Sequence, residues 1–130
     1  MLAGLLSAKK QLNKADLGKW GESKAAKYLR RAGYDLLTRN YRCFRGEIDI
    51  VAVDPDENLV FVEVKTRISE EFTEAETAVD TEKRRRLIRA AKHFISSYDL
   101  RHRPSRFDVL IVIPGNWRPQ IRHHKHAFVG

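Results

Sequence analysis

Asp49, Glu63 and Lys65 are the residues of this sequence whose types and spacing suit hydrolysis assisted by a metal ion. With a period of two, Glu47, Asp49, Val51 and Val53 share one face of a strand, and Leu59, Phe61, Glu63 and Lys65 share one face of the next. Between them Asp54-Pro55-Asp56-Glu57-Asn58 is a cluster of turn formers that reverses the chain. An antiparallel hairpin centred on Asp56 sets Val53 against Leu59, Val51 against Phe61, Asp49 against Glu63 and Glu47 against Lys65. Directly opposed residues have Cβ atoms about 4.5–5.5 Å apart, and like charges placed there destabilise a sheet. A cation between the two carboxylates removes that penalty.

Magnesium takes oxygen ligands and often only one or two protein carboxylates, the rest being waters and substrate phosphates. Asp49 and Glu63 suit that role, and a cation held there polarises a phosphodiester and lowers the pKa of a bound water. Lys65 is placed to orient the attacking water or to offset charge on the transition state. Action as a general base would instead require a strongly lowered pKa, which the two carboxylates oppose. The electrostatic role is favoured.

The elements that must position these groups follow from periodicity. Leu17, Gly21, Ala25, Tyr28, Leu29 and Ala32 recur at helical spacing, with Asp16 as N-cap and Gly33 as stop, and Glu22 falls at the edge of that stripe. Strands are expected at 35–41, 46–53 and 59–66, and a loop at 67–79. A second helix capped by Asp80 or Thr81 presents Leu87, Ile88, Ala91, Phe94, Ile95 and Tyr98 on one face. The apolar run Phe107 to Ile113 reads as a strand buried on both faces, and Pro119 to His124 as an edge strand. The sum is an α/β fold in the order αβββαβ, a mixed sheet flanked by helices.

The chain has 130 residues, one domain's worth, and 42% apolar against 32% charged residues places it among globular proteins. Residues 1–15 read as an N-terminal extension and 16–130 as a single domain. The apolar run at the N-terminus is too short for a targeting signal, with Lys9 and Lys10 on the wrong side of it, and no stretch reaches membrane-spanning length. A single cysteine, Cys43, precludes an intrachain disulfide and suits a cytoplasmic location. The formal charge of +8 favours a polyanionic partner, most simply nucleic acid. Arg42 and Arg45 before the hairpin, Arg67 after it, and Lys83 and Arg84 at the second helix are the candidate phosphate contacts.

The segments Gly18-Lys19-Trp20-Gly21-Glu22, Arg39-Asn40-Tyr41-Arg42, Gly46 to Ala52, Phe61 to Arg67, Lys83, Arg106-Phe107-Asp108 and Ala127-Phe128 together resemble a known family. The chain is similar to the YraN-like family of small bacterial proteins, within the PD-(D/E)xK, restriction-endonuclease-like nucleases, and more distantly to archaeal Holliday junction resolvases. The resemblance implies a restriction-endonuclease-like core, a Mg²⁺ or Mn²⁺ cofactor held at Asp49, Glu63 and Val64, assistance from Lys65, and a helix acid at Glu22. Ile48 stands where the superfamily's name has proline, and Thr73 follows Phe72 where the YraN-like pattern has glycine.

Plainer readings stand beside these. Glu63 and Lys65 alone would suit a surface ion pair, Glu47 suits a structural partner of Lys65, and Glu22 suits a solvated helix edge. Lys83 to Arg86 suits a solvated face as well as a phosphate site. Arg106-Phe107-Asp108 suits an internal salt-bridge anchor, because a buried carboxylate needs a partner. His123, His124 and His126, without a thiolate, suit a polar edge rather than zinc. The expectation is a divalent-metal-dependent endonuclease acting on DNA phosphodiesters, branched or damaged DNA among them, as a homodimer if it resolves junctions. The alternatives are a nucleic-acid-binding module without turnover and an adaptor for an acidic protein.

Overall fold

A computed structural model describes residues 13–44, 46–68 and 80–130. Most of the expected 67–79 loop, Thr73 within it, Arg45 and most of the N-terminal extension lie outside the described residues.

Helix α1 runs Lys14–Arg31, followed by β1 (Asp35–Cys43), β2 (Gly46–Val53), β3 (Leu59–Thr66), α2 (Thr81–Ser97), β4 (Ser105–Ile113) and β5 (Gln120–Phe128). The five strands form one sheet in the order β1-β2-β3-β4-β5. β3 and β4 pair parallel, with α2 as the crossover, and the other neighbours pair antiparallel. This is the expected αβββαβ order with a fifth strand appended.

The two faces of the sheet carry separate cores because β3 and β4 alternate between them. Leu59, Phe61, Phe107, Val109 and Ile111 pack with Leu87, Ala90, Ala91 and Phe94 of α2. Val60, Val62, Leu110 and Val112 pack with Ala25, Ala26 and Leu29 of α1. Residues Arg106–Ile113 of β4 are all buried, as a strand covered on both faces must be.

Several boundaries move. The side chain of Asn13, not Asp16, caps α1, accepting the Asp16 N–H at 2.8 Å. Asp16 instead occupies the first turn, where a carboxylate meets the positive end of the helix dipole. Asp80 caps α2 by accepting the Lys83 N–H at 2.9 Å. Tyr98 lies past the last turn of α2, 61% exposed, so the expected apolar face ends at Ile95. β5 continues to Phe128 because the register shifts between Phe107 and Val109 and His126 takes a left-handed conformation (φ 52°), so the pairing resumes after the irregularity.

Candidate active site

The hairpin pairs in the expected register at Val53–Leu59 and Val51–Phe61, and the ladder ends at Ile50–Val62. Beyond that point a side chain replaces the backbone partner: the Val64 N–H donates to Asp49 Oδ2 at 2.8 Å. The regular alternation of β2 slips at the same place. Ile48 and Val51, three residues apart, pack in the same core on the α2 side, whereas Ile50 packs on the α1 side. The expectation that Glu47 and Asp49 share one face with Val51 and Val53 is therefore corrected. Opposite Asp49, Asn40 of β1 takes a left-handed conformation (φ 53°), which breaks the local pleat. Glu47 is the Cα partner of Arg42 across β1 and β2 and forms an ion pair with it at 3.6 Å, rather than standing opposite Lys65 in the ladder.

Asp49 and Glu63 come together. Their carboxyl groups share a hydrogen bond, and Glu63 is 3% exposed. Burial, and then the adjacent Asp49 carboxylate, raise the Glu63 carboxyl to about 7, against the pull of Lys83. Burial raises Asp49 as well, while the hydrogen bonds from Val64 and Glu63 restrain it. Two buried acids in contact cannot both ionise cheaply, so they share a proton or a cation.

Four further groups surround this pair. Lys83, near the start of α2, forms an ion pair with Glu63 Oε1. Burial opposes its charge, but the hydrogen bond and charge of Glu63 outweigh burial and raise it. Burial, and then the charge of Arg67, lower Lys65, which also feels Glu63. Glu22 is raised by burial and then by Asp49, and Asn40 hydrogen-bonds to it. α1 can bring Glu22 this close because its neighbour is glycine: a Cβ on Gly21 would lie 1.9 Å from Thr66 Oγ1 of β3. Asn40 and Lys83 are the neighbours that periodicity did not assign to the site. Asn40 carried only the weak signal of a residue that tolerates the left-handed region, within a segment that bore the resemblance.

The remaining candidate phosphate contacts are dispersed. Arg42 holds Glu47, Arg67 donates to its neighbour Thr66 O at 3.0 Å, and Arg84 lies 5.1 Å from the Phe128 ring centre. Arg106 and Asp108 form the internal anchor that the sequence allowed. Arg106 binds Asp108 at 2.9 Å and the Tyr34 hydroxyl at 2.9 Å, and also pairs with Asp54. His123 is not a polar edge residue: its side chain is buried, with Nε2 2.7 Å from Asp108 Oδ2.

Among the described residues no three His, Cys, Asp or Glu side chains gather to hold a metal. The donor set at Asp49 and Glu63 is two carboxylates, to which Val64 can add only its main-chain carbonyl. Such a set suits a hard cation that keeps several waters, not a closed zinc centre.

The model of the family described as "Uncharacterised protein family UPF0102" matches residues 21–112. The chain belongs to this family, the YraN-like proteins. Relatives named only as UPF0102 proteins include one from Geobacter metallireducens, 42% identical over 90% of this chain and 95% of its own length. One from Caldicellulosiruptor saccharolyticus is 43% identical over 78% of this chain and 85% of its own. Another from Moorella thermoacetica is 48% identical over 73% and 78%. The matched segment contains Glu22, Asn40, Asp49, Glu63, Lys65 and Lys83. No helix among the described residues is long and apolar enough to cross a membrane.

Proposed function

We propose that this UPF0102 protein is a cytoplasmic endonuclease of the PD-(D/E)xK type, dependent on Mg²⁺ or Mn²⁺ and acting on DNA phosphodiesters. The observation that carries the reading is the buried, hydrogen-bonded Asp49–Glu63 pair, with Lys83 in an ion pair with Glu63 and Lys65 two residues on along the same strand. The donor set fits a divalent cation, with Asp49, Glu63 and the Val64 carbonyl as the residues to hold it. When bound, such an ion supplies Lewis-acid polarisation of a phosphodiester and a lowered water pKa.

The chain's own groups do the rest. Lys65 offsets, as an ammonium, charge developing on the phosphoryl oxygens; Glu63 on the same strand favours that charged form, while burial opposes it. Glu22 retains its proton more readily than an exposed glutamate and faces Asp49, where it can accept a hydrogen bond from an attacking water. The overall charge of +8 draws the DNA. A junction substrate needs two such sites on opposed strands and therefore a symmetric homodimer.

One observation favours a second reading. Lys83 already supplies Glu63 with a cation, as a binding module that has lost turnover would need. Incubation of the protein with branched, single-stranded and duplex DNA in Mg²⁺, Mn²⁺ or EDTA separates the two. Cleavage that requires a divalent ion and disappears in Asp49→Ala and Lys65→Ala supports the nuclease. Binding without cleavage in any buffer supports the module, and cleavage that both variants retain contradicts the site.

A further inference from the structure

On the opposite face of the sheet from Lys83, a cleft of about 520 Å³ lies between α1 and the turn that joins β4 to β5. Lys24, Lys27 and Arg31 of α1 line one wall, and Trp117 and Arg118 of the turn line the other. Tyr28, Pro119 and Ile121 complete it, and no carboxylate is among these lining residues. Trp117 is 95% exposed. We infer that this cleft binds single-stranded nucleic acid, with the cations along the phosphates and Trp117 stacked on a base.

Tyr28 is a fixed part of this surface. The Asp108 carboxyl is held below the usual carboxylate range: burial raises it, but hydrogen bonds from His123 and Arg106 outweigh burial. As a carboxylate it only accepts, so His123 Nε2–H donates to it at 2.7 Å, and Nδ1 of the same ring is hydrogen-bonded with the Tyr28 hydroxyl at 3.1 Å. The phenol ring is thereby anchored from below, and a ligand meeting a pre-ordered wall has less entropy to lose.

Single strands are bound sequence-tolerantly by a positive groove with aromatic rings on which bases stack, the combination present here. An acidic peptide would use the cations but has no need of a projecting indole. The other large exposed aromatic beside arginines, Phe44, shares its surface with the Glu47 carboxylate, which repels phosphate. The charge at Lys24, Lys27, Arg31 and Arg118 is free of that opposition among the lining residues.

The inference requires neither a divalent ion nor turnover, so it is tested on the full chain in EDTA and stands or falls separately from the nuclease reading. The probe is a fluorescent oligo-dT, followed by anisotropy across a salt series and by quenching of protein fluorescence. Trp117→Ala should weaken binding about tenfold and remove most of the quenching. Lys24→Glu with Lys27→Glu should flatten the slope of log affinity against log salt by ~1.4, from two lost phosphate contacts. Arg101→Glu, a single charge reversal on an exposed turn outside the cleft, should do neither of these, whereas Lys24→Glu alone should already flatten the slope by ~0.7. Binding by Trp117→Ala equal to wild type, equal losses in Arg101→Glu and the cleft variants, or displacement of the oligonucleotide by poly-glutamate at matched charge would each overturn the assignment. Circular dichroism of each variant establishes that the fold is retained. Should Trp117→Ala unfold, Trp117→Phe, which keeps a smaller stacking face, must weaken binding by an intermediate amount.

Discussion

Lys83, in the first turn of α2, places its ammonium against the buried carboxyl of Glu63 on β3. The side chain of Glu63 is 3% exposed and that of Lys83 42%, so the lysine reaches from the surface to cover an acid that has little other access to solvent. It occupies the position of charge compensation that a divalent ion would otherwise take. Removing one partner of a buried pair leaves the other uncompensated. In Lys83→Ala the Asp49–Glu63 pair therefore becomes a stronger site for an added cation. Mn²⁺ should bind about tenfold more tightly, adding about 1.4 kcal/mol of ligand-linked stability, or roughly 3–6 °C in Tm, beyond the wild-type increment. Thermal melts with and without Mn²⁺ at a fixed pH check this. A smaller increment in Lys83→Ala would mean that the lysine helps to hold the ion rather than substituting for it.

Asp49 has two duties that substitution can separate. Its Oδ2 accepts the Val64 N–H where the β2–β3 ladder has ended, and its charge belongs to the carboxyl pair. Asp49→Asn keeps an oxygen acceptor for Val64 and should melt within a few degrees of wild type, yet show no Mn²⁺-induced rise in Tm. Asp49→Ala abandons a buried N–H as well and should cost about 1–3 kcal/mol more. Denaturant titration of the two variants, with and without metal, measures the difference. Equal stabilities would show that the strand end does not depend on this bond.

The hairpin was legible because Val51, Val53, Leu59 and Phe61 obey a period of two and the Asp54–Asn58 turn sits between them. The same rule failed at Asp49. A pleat broken by one left-handed residue on the neighbouring strand, Asn40, leaves no trace in the periodicity of β2 itself. Lys83 was read as one of a basic run, since its partner Glu63 is remote in sequence and only the packing of α2 brings them together. The histidine-rich β5 looked like a polar edge because nothing local announces that His123 alone turns inward to Asp108. The resemblance named the candidate set of Glu22, Asp49, Glu63 and Lys65; that Asn40 and Lys83 hydrogen-bond and pair with it came from tertiary packing.

The turn that directs the hairpin is also an acid-sensitive joint. Burial would raise the Asp54 carboxyl, but hydrogen bonds from Arg106 and Asn58 outweigh burial and hold it at about 2. A depressed carboxyl contributes stability that is fully present above its unfolded value, near 4, and is lost as the pH falls toward 2. The contribution is about 2 kcal/mol at neutral pH. Asp54→Asn keeps acceptors for the turn N–H groups but loses the charge facing Arg106. Its stability at pH 7 should fall by about that amount, and its loss between pH 4 and pH 2 should be shallower than that of wild type. Urea unfolding across this pH range checks the slope, and parallel acid limbs would exclude Asp54 as their source.

Gly46, at the start of β2, sets how closely α2 approaches the sheet. A Cβ there would lie 2.2 Å from the Arg86 carbonyl oxygen and 3.1 Å from Ala90 Cβ. The first obstacle is main chain in the middle of a helix and cannot rotate aside, so relief requires α2 itself to move. Overpacking of this kind costs about 1–3 kcal/mol, and Gly46→Ala should lose that much stability. The displacement has a second consequence, because Lys83 lies one turn before Arg86 on the same helix. A shifted α2 carries the ammonium away from Glu63, so Gly46→Ala should reproduce part of the increased Mn²⁺ response expected of Lys83→Ala, although position 46 contributes no charge. Combining the two substitutions isolates that coupling: in the Lys83→Ala background, Gly46→Ala should still lower stability but leave the Mn²⁺ increment where Lys83→Ala put it. Additive Mn²⁺ effects would place the influence of Gly46 on the carboxylates themselves rather than on the helix that neutralises them.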